Sequence, residues 1–124
     1  PLPLALEHNL SDPLAFIAIP ANGHRHFDFD FPNLRSFGST AAHCCYVAQG
    51  AAIGALLRRV NLWDLAGVLP ILRYTGVQVE YYSGGPFTPD AYLTGARISE
   101  EILIARPSIM ERLRMLIHRK KKED

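Results

Sequence analysis

The chain has 124 residues, of which 48% are hydrophobic, and a formal net charge of +1. That length fits one compact domain with a real core, and that apolar content excludes a largely disordered chain. The near-neutral balance gives no electrostatic reason to expect nucleic acid or an anionic membrane as partner, and no apolar run approaches the roughly 20 residues of a membrane span.

The chain begins at Pro1 rather than Met, which fits a piece trimmed from a longer polypeptide. No basic stretch leads into an apolar run of signal-peptide type, so the expected location is the cytoplasm. Residues 1–12 carry Leu2, Leu4, Leu6 and Leu10 without a clear period, and Pro13 punctuates. Residues 14–19 are a continuous apolar run ended by Pro20, the pattern of a strand buried on both faces. Ala21-Asn22-Gly23 is a turn. From 24 to 31 the chain alternates, with His26, Asp28 and Asp30 on one side and Phe27, Phe29 and Phe31 on the other. This predicts a half-buried strand with one aromatic face.

Gly38-Ser39-Thr40 precedes an Ala-rich helix over 41–49, with Ser or Thr as its cap and Gly50 at its end. Within it, Cys44 and Cys45 are adjacent and read as small buried side chains in a reducing compartment; no second ligand pair joins them and His43 in a zinc site. Residues 53–57 predict a strand. Residues 63–74 are apolar at helical spacing through Leu65, Val68, Leu69 and Leu72, with Gly76 beyond the end and Pro70 inside. Strand follows over 77–82, then a Ser83-Gly84-Gly85-Pro86 turn, and a further strand is expected over 92–98. Ser99-Glu100-Glu101 reads as the polar front of a helix, and a last helix runs over 108–118 behind Pro107. Residues 1–118 therefore form a single α/β domain, a layered fold with a mixed central sheet covered by helices, and 119–124 a charged, solvated tail.

The stretch Leu62-Trp63-Asp64-Leu65-Ala66-Gly67 carries most of the chemistry. It places one acid behind a Trp at the front of an apolar helical run. A carboxylate beside a positive helix end can hold a hard cation such as Mg²⁺, or can simply cap the helix. Trp63 is expected to pack and so to fix the direction of Asp64. His24 and His26 are expected to face solvent, and Gly84-Gly85-Pro86 lacks the Lys-Ser/Thr of a phosphate cradle.

Several segments in order resemble the C-terminal half of the inositol monophosphatase family. Trp63-Asp64-Leu65-Ala66-Gly67 is similar to that family's second signature. Arg35-Ser36-Phe37-Gly38-Ser39-Thr40-Ala41-Ala42 resembles its R-x-x-G-S-A/T-A segment, and Tyr46-Val47-Ala48-Gln49-Gly50 its V-A-x-G. Ser83-Gly84-Gly85-Pro86-Phe87 matches a turn after the next strand. The likeness covers roughly residues 14–117.

The resemblance implies a Mg²⁺-dependent phosphomonoesterase in which metal ions clamp a phosphate and supply a metal-bound water. It assigns Asp64 as a metal ligand and Gly38, Ser39 and Thr40 as the segment along the substrate's polyol ring. The expected partners are the N-terminal half of the same phosphatase, a phosphorylated sugar or polyol and, through an apolar face, further copies of the chain. The family's first signature, D-P-[ILV]-D-[GS]-T, has no counterpart here: Asp12-Pro13-Leu14-Ala15 shares its first letters but has Ala15 for the second acid. Leu57 stands where the family often has an acid that holds a substrate hydroxyl. A non-catalytic domain that keeps this fold for binding or assembly is the alternative. Relatives acting on fructose bisphosphate or nucleotide bisphosphates widen the choice of substrate.

Overall fold

The computed structural model describes residues 14–88, 98 and 100–120. The apolar run after Pro13 forms β1 (Phe16–Ala18), buried at all three positions. A 3-10 turn, Gly23–Arg25, takes the first part of the alternating stretch, and β2 (Phe27–Phe29) follows. The faces are those the alternation requires: Phe27 is buried while His26, Asp28 and Asp30 are exposed. A short strand the sequence reading lacks, β3 (Leu34–Arg35), comes next. Helix α1 (Thr40–Gln49) starts where Ser39 Oγ accepts the Ala42 N–H at 3.3 Å. It ends at Gly50 with φ of 85°, a left-handed conformation that glycine adopts without a Cβ penalty. Within α1, burial foremost and Cys45 second push the Cys44 thiol up to about 12. Both thiols are free.

After β4 (Ala52–Leu57), buried throughout, the single helix expected over 63–74 is two: α2 (Leu62–Ala66) and α3 (Leu69–Tyr74). The break at Gly67 and Val68 accounts for Pro70. In one continuous helix Pro70 would lack a donor and crowd the Ala66 carbonyl, costing about 3 kcal/mol. At the second position of α3 its missing N–H has no helical acceptor to lose.

β5 (Gln78–Tyr81) follows. The helix expected behind Ser99-Glu100-Glu101 is instead a strand, β6 (Ile102–Ala105). Its four residues are fully buried between β4 and β5, whereas a helix on the surface would turn one face to water. Helix α4 (Pro107–Leu116) takes Pro107 at its first position and ends before residue 118. Residues Ile117–Arg119 then form β7, antiparallel to β2, with Phe27 opposite Arg119 and Phe29 opposite Ile117. Arg119, expected in the tail, lies in this strand with its guanidinium 4.9 Å from the Phe27 ring centre and 5.3 Å from that of Tyr82. The strand expected over 92–98 lies outside the described residues apart from Ile98, as do residues 1–13 and 121–124.

The five-stranded sheet has the order β3-β1-β4-β6-β5. β3, β1 and β4 are parallel, and β6 runs antiparallel to both its neighbours. This is the mixed, helix-covered sheet that the alternation of elements implies. One face packs Phe16, Ala18, Leu57, Ile102 and Ile104 under Val47, Leu65 and Leu72 of the first three helices. The other packs Ile17, Ile53, Leu56 and Leu103 under Ile109 and Leu113 of α4, with Phe27 and Ile117 from the β2–β7 pair. Each such aliphatic side chain contributes about 1.5–3 kcal/mol by leaving water. Gly54 lets α4 come close: a Cβ there would meet Leu113 Cδ2 at 2.7 Å.

Polar ties set the helix positions. Arg114 of α4 donates to the Tyr81 and Tyr82 carbonyls at 2.7 and 2.8 Å and to Glu80 Oε1 at 2.8 Å. Arg106, only 4% exposed, donates to the Val47 carbonyl at 2.9 Å and the Ala48 carbonyl at 2.7 Å.

Two substitutions test this reading by urea unfolding. Pro70→Ala should change stability by less than about 1 kcal/mol, since the proline occupies a helix start; a gain near 3 kcal/mol would indicate one unbroken helix. Arg106→Leu should cost about 1–3 kcal/mol or more by leaving two buried carbonyls without donors. An unchanged midpoint would show that these bonds do not hold α1.

Candidate functional site

β1 and β4 are parallel neighbours, so their carboxyl ends open on the same edge of the sheet. Ligand sites in open α/β sheets form in the crevice outside such ends. Pro20, Ala21 and Asn22 follow β1 there, and Arg58 and Arg59 follow β4. The start of α1 closes the third side. A hollow of about 170 Å³ lies between these segments, lined by Pro20, Ala21, Gly38, Ser39, Thr40, His43, Leu57 and Arg58. The three loop residues named from the sequence therefore come together on one wall. Gly38 has φ of 70° with nothing within 4 Å of where a Cβ would stand, so the loop needs glycine for its backbone rather than for space. Leu57 gives this hollow an apolar floor where the resembled family often has an acid.

His43 braces the loop from behind. It is 4% exposed, and its Nε2 accepts the Phe37 N–H at 3.0 Å. An acceptor nitrogen is an unprotonated one, and burial lowers the imidazole's pKa from 6.5 in keeping with that. Phe37 stacks at 4.5 Å on Tyr46 and tilts at 5.7 Å against Phe16, which ties the loop to α1 and β1. Sequence reasoning passed over His43 as a loop support; the available signal was a lone His one helical turn after the Ser39 cap.

A second hollow of about 270 Å³ adjoins the first through Pro20, Ala21 and Arg58 and is further lined by Asn22, Arg25, His26 and Arg59. Arg58 is largely buried, lies 3.7 Å from Glu101, and has an Nε with no hydrogen-bond partner. Arg59 adopts a left-handed backbone with φ of 53°, unusual outside glycine. The basic pair directly after Leu57 was the signal for this hollow, and it was not used.

Asp64 sits in the first turn of α2, exposed, beside the positive helix end. The cap is Asn61, whose Oδ1 accepts the Trp63 N–H at 2.9 Å. Asp64 is thus spared capping duty, and it lines neither hollow. Trp63, expected to pack, is 62% exposed. The reason is geometric: α2 buries Leu62 and Leu65, three residues apart on one face, which leaves Trp63 and Asp64 on the outward side. Among the described residues no three His, Cys, Asp or Glu side chains stand close enough to share a metal ion. Mg²⁺ demands near-octahedral oxygen coordination, so the described residues do not by themselves fit a cage for it.

The sequence profile of the inositol monophosphatase family matches residues 9–118. Among solved structures, the staphylococcal IMPase-II is similar at 23% identity and a TM-score of 0.63, over 81% of this chain and 40% of its own. The SuhB protein of Bartonella henselae is similar at 20% identity and a TM-score of 0.59, over 86% of this chain and 42% of its own. A dual-specific IMPase/NADP phosphatase bound with D-inositol-1-phosphate aligns at 15% identity and a TM-score of 0.64, over 86% of this chain and 40% of its own. These likenesses are of fold, and the chain spans about two-fifths of the length of each. A comparison with curated protein sequences returned no match.

The buried neutral imidazole makes stability pH-dependent. Burial lowers the folded-state pKa of His43 below the 6.5 of a free imidazole, so the unfolded chain takes up the proton first. Its contribution is complete above about pH 6.5 and is lost as the pH falls through the folded value. His26 is shifted the same way. The measurement is therefore a comparison of unfolding free energies from pH 8 to 5 for the parent and His43→Asn. The variant should decline less steeply, and equal slopes would remove His43 as the cause.

Proposed function

The chain belongs to the inositol monophosphatase family, and from that premise we propose that it forms the C-terminal part of a Mg²⁺-dependent phosphomonoesterase. In this reading Asp64 supplies one metal ligand, and Gly38, Ser39 and Thr40 face the substrate. The observation that carries it is the hollow at the carboxyl ends of β1 and β4, walled by those three loop residues at the start of α1. Hydroxyls and backbone N–H groups at a helix start suit a polyol hydroxyl or an anion. His43 keeps that wall in place by holding the Phe37 N–H.

The remaining acids of the metal cage would come from another segment, the N-terminal half of the same phosphatase. Mg²⁺ would supply charge neutralisation of the phosphate when bound. The substrate class is a phosphorylated sugar or polyol. One similar structure holds an inositol monophosphate and another 2′AMP, which supports a phosphomonoester on a hydroxylated ring. Leu57 in the floor argues against the hydroxyl pattern an acid would read. The free Cys44 and Cys45 thiols suit a reducing cytoplasm.

A second reading, a non-catalytic binding or oligomerisation domain, is favoured by one observation. Trp63, Ile71 and Tyr74 of α2 and α3 are exposed at 62%, 47% and 90%. Such residues fit a surface covered by another chain or by a further copy.

The experiment is a phosphatase assay with Mg²⁺ on the full-length polypeptide containing this chain, beside its Asp64→Asn form. Turnover should fall by about 10–100-fold or more, since losing even a group that supports a metal ligand costs that much. Equal turnover in the two would remove Asp64 from the mechanism. No turnover in either, with self-association that Tyr74→Ser weakens, would favour the assembly reading.

A further inference from the structure

The larger hollow carries positive charge that the described residues answer only in part. Arg25, Arg58 and Arg59 line it, and His26 joins them. Among the described residues the carboxylate set against these arginines is Glu101, 3.7 Å from Arg58 Nε. That carboxylate is also engaged by Arg119 on its other oxygen. Arg25 and Arg59 have no carboxylate within ion-pair distance among the described residues.

We infer that this hollow is a subsite for a second anionic group on the substrate, a phosphate, held by Arg25, Arg58 and Arg59. The inference rests on the phosphatase reading above and narrows its substrate class. The preferred compound carries a further phosphate beside the hydroxylated ring, rather than being a polyol monophosphate.

Several observations support it. The hollow continues the one walled by the 38–40 loop, sharing Pro20, Ala21 and Arg58, so one molecule can reach both. The Arg58 Nε is a buried donor lacking an acceptor, and such a group is costly unless something accepts from it. Guanidinium groups match phosphate oxygens in paired hydrogen bonds, which suits this ligand over a polyol hydroxyl. The arginines are felt by a neighbour: Arg58 foremost lowers the His26 pKa, burial, Arg59 and Arg25 act the same way, and Glu101 opposes them. Leu57, which lines the smaller hollow, adds no negative charge to repel the ligand. Arg59 is held in a strained left-handed backbone at this very turn, a feature that clusters at binding sites.

The test is calorimetric titration of the protein without Mg²⁺, which separates it from the role of Asp64. The probes are fructose 1,6-bisphosphate, fructose 6-phosphate and inorganic phosphate. The bisphosphate should bind at least tenfold more tightly than either of the others. Arg58→Ala should abolish that margin. Arg58 also faces Glu101, so the exposed pair Arg25→Ala and Arg59→Asn serves as a second variant; Asn tolerates the left-handed backbone. That pair should shrink the margin while the thermal midpoint stays put, and Arg73→Ala, remote from the hollow, should leave it whole. Asp64→Asn should leave this margin intact, whatever it does to turnover. Equal binding of bisphosphate and monophosphate overturns the inference. So does a margin untouched by the arginine variants, and so does inorganic phosphate binding as tightly as the bisphosphate, which would make the hollow a site for the free ion.

Discussion

A guanidinium buried against the last turn of α1 holds the site in register. Arg106 lies where β6 passes into α4 and reaches the carbonyls of Val47 and Ala48. Carbonyls in a helix's last turn lack partners within the helix and carry its negative end, so they can satisfy a buried cation without a carboxylate. Burial lowers the Arg106 pKa, yet a guanidinium starts so high that the charge persists. The consequence is positional. With its far end pinned, α1 must direct its near end over the carboxyl ends of β1 and β4. The 38–40 loop stands where it does because of a contact at the other end of the helix.

The edge of the sheet to which α1 points has two chemical characters side by side. The smaller hollow offers a Leu57 floor, hydroxyls and a helix start. The larger offers guanidinium groups around Arg58. Arg58 belongs to both, because β4 ends just before it and its side chain lies between them. Asp64 stands apart on the outward face of α2, where Asn61 has taken over the cap and left the carboxylate available to solvent or to another segment. The chain spans about two-fifths of the length of its solved relatives.

Much of the site was legible one residue at a time. Ser39 as a cap, Gly50 as a helix end and the loop at Gly38 follow from rules that act within a few residues, and the structure has each of them. Trp63 was misjudged for a reason of helix geometry. Its hydrophobicity argues for burial, but the paired Leu62 and Leu65 decide which face turns inward, and a five-residue helix has only one such face. Arg58 stayed unread because its meaning depends on a neighbour far along the chain, Glu101 brought up beside β4, whereas His43 meets Phe37 only because the preceding loop folds back onto α1.

From the residues alone came the α/β class, the buried strand before Pro20, the limits of α1 and the family likeness carried by the segments around Gly38 and Asp64. The first three rest on local conformational preference and on apolar periodicity, which any short stretch expresses by itself; the likeness rests on matching motifs in the same order. The assembled molecule decided that Ile102–Ala105 is a central strand and that Ile117–Arg119 pairs with Phe27–Phe29. It also decided that the helical run breaks before Pro70 and that three arginines converge on one hollow. Strand partnership and charge convergence are relations between segments distant in sequence. Their energies exist only once the chain has closed on itself, so no single stretch announces them.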